Sequence, residues 1–294
     1  MKIQLLSDIH LEANPDFEAR PAPGADLLVL AGDIGSYQRR RDGSAMAEPD
    51  WGLGRFAHWP VPVLFVPGNH EYDALDVDRA HADLRATCQR LGIRWLEREV
   101  WVWRGVRFVG TTLWADFDAT CPEPRQLLVH REKAFRAANH YLRKMASQRG
   151  GALFDAAAMR QMGLQCQAWL RAALAAPFDG PTVVITHFAP TLHSADPRYG
   201  LVPGTAGFCN GLDDLLPHAD LWIHGHLHCP VDHTVRGRTG PDAHTGRNWA
   251  CRIVANPRGY FSKGEQAGFI ERRVVAVPRG RRTALDQNQH TEPA

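Results

Sequence analysis

Val63-Leu64-Phe65-Val66 runs directly into Pro67-Gly68-Asn69-His70-Glu71, and the reading of this junction decides the fold. A short, wholly apolar run is what a strand buried on both faces looks like, and the polar cluster marks where that strand ends. The same junction recurs four times. Residues 3–6 precede Ser7-Asp8-Ile9-His10, and residues 27–31 precede Gly32-Asp33. Residues 183–186 precede His187, and residues 221–223 precede His224-Gly225-His226-Leu227-His228.

Helical patterns lie between these runs. Residues 74–91 carry an apolar face through Leu75, Ala80, Leu84 and Leu91, with Gly92 placed to cap the helix. Residues 155–175 form another amphipathic helix, with Leu164, Trp169, Leu170 and Leu174 expected in the core. A charged helical stretch at 123–149 reads as part of an insertion spanning about 117–150. Further strands are expected at 100–103, 107–111, 252–255 and 268–277. The pattern predicts an α/β fold occupying residues 1–278, followed by a disordered polar tail at 279–294.

Parallel strands in an α/β architecture gather their carboxyl ends along one edge, where ligands bind on the loops. Here each such end carries Asp, Asn or His. Carboxylate and imidazole suit manganese, iron, zinc, cobalt or nickel. Two cations about 3.5–4 Å apart, bridged by a carboxylate, clamp a phosphoryl group and activate water. Gly32, Gly68 and Gly225 leave room where the backbone turns toward such ions.

Asp8-x-His10, Gly32-Asp33, Gly68-Asn69-His70-Glu71, Thr186-His187 and Gly225-His226-Leu227-His228 together resemble the five signature blocks of the calcineurin-like metallophosphoesterase superfamily, in the same order. The resemblance implies a four-layer α/β/β/α sandwich around a site for two divalent ions, manganese favoured, with iron, zinc, cobalt, nickel or magnesium as alternatives. It assigns Asp8, His10 and His228 to the first metal. It gives Asn69, His187 and His226 to the second, with Asp33 bridging. His70 would be the catalytic histidine that faces the ester and assists its leaving oxygen after a metal-activated hydroxide attacks phosphorus. Asn256-Pro257-Arg258-Gly259-Tyr260 resembles a segment of uncharacterised bacterial members.

One departure is informative. Protein phosphatases of the superfamily carry a further Asp in a Gly-Asp-x-x-Asp-Arg-Gly block, whereas Asp33 is followed by Ile34-Gly35-Ser36-Tyr37. This argues against a protein serine/threonine phosphatase and leaves the orienting partner of His70 open, with Glu71 and Asp73 nearby in sequence. Glu71 is either an anchor behind the cluster or a solvated carboxylate. His224 lies on its strand and reads as structural. Arg198, on the loop after His187, and Arg258 are candidates for substrate contact or for surface structure. The stretch 230–249 is either a solvated hairpin or a cationic flap in which Arg236 and Arg238 meet a phosphate.

The net charge of +2 gives no support to nucleic acid as a partner. Six cysteines without a C-x-x-C pair read as reduced thiols of a cytoplasmic protein. No apolar run approaches the ~18 residues of a membrane span, and candidate ligands start too early for a signal peptide to precede them. The reading is a hydrolase acting on a phosphorylated small molecule or nucleotide, with phosphodiesters favoured over monoesters. The rivals are a phosphomonoesterase, a nuclease and a binding module that has kept the fold without the chemistry.

Overall fold

Alternate residues of a strand face opposite ways, and in the central runs 27–31 and 63–66 both faces are apolar and buried. The computed structural model describes residues 1–37, 49–121, 123–240 and 246–278; the expected tail at 279–294 lies outside them. In chain order the elements begin β1 (Lys2–Leu6), β2 (Leu27–Ala31), β3 (Val63–Val66), α1 (Val77–Leu91) and β4 (Arg94–Trp95). Next come β5 (Glu99–Trp103), β6 (Val106–Thr111), α2 (Leu127–Met145), β7 (Gln148–Arg149), β8 (Ala152–Leu153) and α3 (Ala156–Ala175). The last are β9 (Thr182–Thr186), β10 (Leu221–His224), β11 (Val231–Thr239), β12 (Arg247–Ala255) and β13 (Val274–Ala276).

Two mixed sheets form. One has the order β13-β1-β2-β3-β4, the other β11-β12-β10-β9-β6-β5. Strands β1 to β4 run parallel, as do β6, β9, β10 and β12, while β13, β11 and β5 are antiparallel to their neighbours. The inner faces of the two sheets share one core. Ile3, Leu5, Val29 and Leu64 from the first sheet pack with Phe108, Val183, Ile185 and Ile223 from the second. The outer faces are covered by helices. Leu28, Leu30 and Phe65 lie in one cluster with Val77, Ala80 and Leu84 of α1, and Val184 and Trp222 lie with Met159, Cys166 and Leu170 of α3. The expected layering of helix, sheet, sheet and helix is present.

Helix α1 begins at Val77, three residues later than the sequence pattern suggests. Ala74 has a left-handed φ of 58°, and the Asp76 side chain caps the helix by accepting from Arg79 N at 3.1 Å. Gly92 closes it with a φ of 69°. In α3, Leu170 and Leu174 are buried and Trp169 packs against the core. Leu164 is the exception: it is 44% exposed, on the solvent side of the helix. The strand expected over 268–277 shortens to Val274–Ala276 because its first residues bond to a side chain instead of a ladder. Ile270 N donates to Asn256 Oδ1 at 3.1 Å, and Asn256 Nδ2 donates to Ile270 O at 2.9 Å. Among the described residues no helix is long and apolar enough to cross a membrane.

Candidate metal centre

The parallel register brings the ends of β1, β2 and β3 to one edge of the first sheet, and those of β9 and β10 to the same edge of the second. Leaving a strand to point a polar side chain inward requires tight turns. Asp8, His10, Asp33, His226 and His228 all have left-handed backbones, with φ of 52°, 51°, 54°, 70° and 47°. Such conformations cost on the order of 1–3 kcal/mol each and persist where surrounding contacts enforce them. Those contacts are present. Asp33 Oδ1 accepts from His70 N at 2.8 Å, and Asp8 Oδ1 accepts from His226 N at 2.8 Å. A Cβ on Gly225 would lie 2.6 Å from Asp8 Oδ2, and one on Gly68 would collide with Asp33 Oδ1. Only glycine lets these carboxylates sit where they do.

Among the described residues two groups of ligand atoms share Asp33, each within 4.8 Å: Asp8, His10, Asp33 and His228 in one, Asp33, His187 and His226 in the other; His10 also groups with Glu12 and His70. Asn69 joins the second group, its Oδ1 lying 3.1 Å from His187 Nε2. Asp33 belongs to both. All seven residues that the sequence singles out as ligands therefore converge.

The donors fit a cation and suit little else. Nδ1 of His10 donates to Glu12 Oε1 at 2.8 Å, and Nδ1 of His228 donates to Glu265 Oε2 at 2.6 Å. Each ring then turns a lone pair outward on Nε2, yet these two Nε2 atoms face each other at 3.0 Å. His187 repeats the pattern. Its Nδ1 donates to the carbonyl of Ala31 at 2.9 Å, and its Nε2 faces Asp33 Oδ2 and Asn69 Oδ1, both at 3.1 Å. Asp8 Oδ2 and Asp33 Oδ2 are buried without a hydrogen-bond partner. Acceptors turned on one another in a buried space need positive charge between them. Without it, the charge falls on protons. Burial lowers the pKa of His187, but the Asp33 carboxylate outweighs it and lifts the value to about 9.

His70 is placed differently. Its Nδ1 donates to Asp73 Oδ2 at 2.6 Å, and that same oxygen accepts from Ser36 Oγ at 2.9 Å. Burial disfavours the imidazolium, but Asp73 and Asp33 more than compensate and hold its pKa well above the ordinary value. The His70 ring stands edge-on to His10, 4.8 Å between centroids. Asp73, near His70 in sequence, is thus the partner that the missing second Asp of the protein-phosphatase block leaves open.

Glu71 is an anchor. Fully buried, its carboxylate accepts from Asp33 N at 3.0 Å, Ile34 N at 2.6 Å and Gly68 N at 2.6 Å, tying the end of β2 to the end of β3. Burial, followed by the charge of Asp33, pushes its pKa up to about 8. His224 is buried and bonds Ser194 Oγ at 3.0 Å, a structural role.

The sequence reading missed four neighbours of the cluster: Glu12, Glu265, Phe208 and the ring of Tyr260. Tyr260 stacks on His10 at 4.3 Å, and Phe208 stacks on His226 at 4.9 Å. Tyr260 arrives because Arg258 N and Gly259 N donate to the carbonyls of Ser7 and Asp8 at 3.0 and 2.8 Å.

The model of the calcineurin-like phosphoesterase family matches residues 1–230. The chain belongs to that family. As a calcineurin-like phosphoesterase it is a phosphoric ester hydrolase. No curated protein matches it. Among solved structures it is similar to a phosphopantetheinyl hydrolase from Mycobacterium tuberculosis, with a TM-score of 0.61 and 19% identity over 90% of this chain and 92% of that one. That likeness shows a shared fold.

The arginines of this phosphoesterase are placed less favourably than the sequence suggests. β11 leaves the cluster end, where Val231 pairs with Ala255, and runs away from it, so that Arg236 pairs with Ala250 and Arg238 with Asn248. At about 3.4 Å per residue, Arg236 lies roughly 17 Å along the strand from Val231. Of the two readings of this stretch, the register favours the hairpin, which runs along the edge of the sheet away from the ends that carry the ligands. Arg198 is held by Asp196, with Nε 2.8 Å and Nη2 2.6 Å from Oδ2. Arg258 lies over the Phe17 ring at 4.4 Å.

Proposed function

We propose that this phosphoesterase uses two divalent cations, manganese favoured, to hydrolyse a phosphate ester of a small molecule in a reducing cytoplasm, with nucleotide-type phosphodiesters favoured over monoesters. The first cation would be held by Asp8, His10 and His228, the second by Asn69, His187 and His226, and Asp33 would serve both. When bound, the ions supply Lewis acidity toward the phosphoryl oxygens and a nucleophile made from water. The observation that carries this reading is the opposition of acceptor atoms on either side of Asp33 in a buried space.

The remaining chemistry falls to the chain's own residues. Asp73 and Ser36 fix the orientation of His70, whose Nε2 then faces the cluster with a proton to give. A protonated imidazole beside a scissile ester assists departure of the leaving oxygen, worth about 10²–10⁴-fold in rate. Glu71 holds the loops of β2 and β3 together, so that Asp33, Asn69 and His70 keep one spacing. The preference for a nucleotide-type group is supported by Phe208, 41% exposed beside His226, which offers a ring face at the rim. The free cysteines, four of them buried, fit a reducing compartment.

A panel of p-nitrophenyl mono- and diesters, cyclic nucleotides and mononucleotides, assayed with Mn2+ and with chelator, tests the reading. Chelator-sensitive turnover, highest on a nucleotide diester, is expected. Turnover of monoesters alone would replace the diester preference, and turnover unaffected by complete metal removal would overturn the proposal.

A further inference from the structure

The two halves of the cluster differ in what stands behind their imidazoles. His10 and His228 each rest Nδ1 on a carboxylate, Glu12 Oε1 at 2.8 Å and Glu265 Oε2 at 2.6 Å. His187 rests Nδ1 on the neutral carbonyl of Ala31 at 2.9 Å. His226 lies between phenyl rings, with centroids 4.1 Å from Phe188 and 4.9 Å from Phe208. The half with carboxylate-backed histidines also owns Asp8, whereas the other contributes the neutral Asn69 and shares Asp33. A carboxylate behind a ligating imidazole fixes its tautomer, raises its basicity and adds negative charge, and removing it typically costs 10–100-fold in metal affinity.

We propose that Glu12 and Glu265 are positioning residues that make the Asp8–His10–His228 half the tighter cation position, so that the two ions load in sequence and the second exchanges more freely. The inference rests on the two-cation reading above and goes beyond it by ranking the halves. Glu265 is built for the task. Its Oε2 also accepts from Tyr260 N at 2.9 Å, which locks the carboxylate against the ring stacked on His10. Glu12 is buried, with Oε2 lacking a hydrogen-bond partner, and one of its carboxylate oxygens lies within 4.8 Å of ring nitrogens of His10 and His70.

The test is calorimetric titration of metal-stripped protein with Mn2+, paired with spin-resonance counting of free Mn2+, on the wild type, Glu265→Gln and Glu12→Gln. Two events are expected for the wild type, the first at least tenfold tighter. Each variant should weaken the first event by about 10–100-fold and leave the second within about threefold. Melting curves of the stripped proteins establish that the variants are folded, and either one suffices if the other is not. Two events in the wild type that are equal, or that the variants shift alike or not at all, would overturn the ranking and leave the two-cation reading intact. A single event at one ion per chain would overturn the two-cation reading itself.

Discussion

The Asp73 carboxylate oxygen stands 2.6 Å from Nδ1 of His70, three residues away on one short turn. Protein phosphatases of the superfamily place the corresponding acid after their bridging Asp. Here the acid comes from the histidine's own loop, and Ser36, from the loop after β2, supports it.

It follows that His70→Asn keeps its metal while kcat falls by about 10²–10⁴-fold. Asp73→Asn should fall in the same direction by less, since the imidazole remains but loses its orientation. Both losses should shrink for esters with good leaving groups, which need little protonation. Steady-state kinetics across a leaving-group series, with elemental analysis of each variant, checks this. Metal lost from His70→Asn would make His70 a ligand instead.

Gly225→Ala should weaken metal binding although it replaces no ligand residue. The new methyl would lie 2.6 Å from Asp8 Oδ2 and 2.9 Å from the carbonyl of Ala31, so either the carboxylate or the strand end must move. An ion pocket displaced by even a few tenths of an ångström loses its coordination distances. Bound metal should therefore fall well below that of the wild type. Wild-type metal content in a folded Gly225→Ala protein would count against the close approach.

Much of this site was legible because strand ends are local events: an apolar run, then ligand-type residues, five times over. What stayed hidden depends on pairing between distant segments. Glu265 reaches His228 across 37 residues, and no periodicity announces it. The hairpin's two readings stayed open for a related reason. Its closeness in sequence to His228 suggested closeness in space, but the antiparallel register of β11 with β12 sets the direction, and it leads away. Leu164 shows the limit of apolar counting, since an amphipathic helix can carry an apolar residue on its wet face.

Arg236→Ala and Arg238→Ala, alone or together, should change kcat/KM by no more than about twofold, the scale of an ordinary surface substitution. Kinetics on a nucleotide diester decides. A tenfold rise in KM would return the hairpin to the substrate.

Glu97 links stability to pH. Burial raises its pKa above the ordinary 4.5, although Thr112 N and Arg98 oppose the shift. The folded chain therefore holds this proton to higher pH than the unfolded chain, and from about pH 4.5 upward the residue costs progressively more stability until its folded pKa is passed. Glu97→Gln, which keeps an acceptor for Thr112 N, should gain in melting temperature relative to the wild type as pH rises from 4.5 to 7. Parallel melting curves across that range would show that the carboxyl is not strained.

The shared position of Asp33 is the centre of the account, and counting ions tests it most directly. Metal-stripped protein reloaded with Mn2+ and freed of excess should hold two ions per chain by elemental analysis. His228→Ala should retain close to one, and Asp33→Asn should lose from both positions. Wild-type protein that never exceeds one ion per chain, or an Asp33→Asn variant that keeps two, would contradict it.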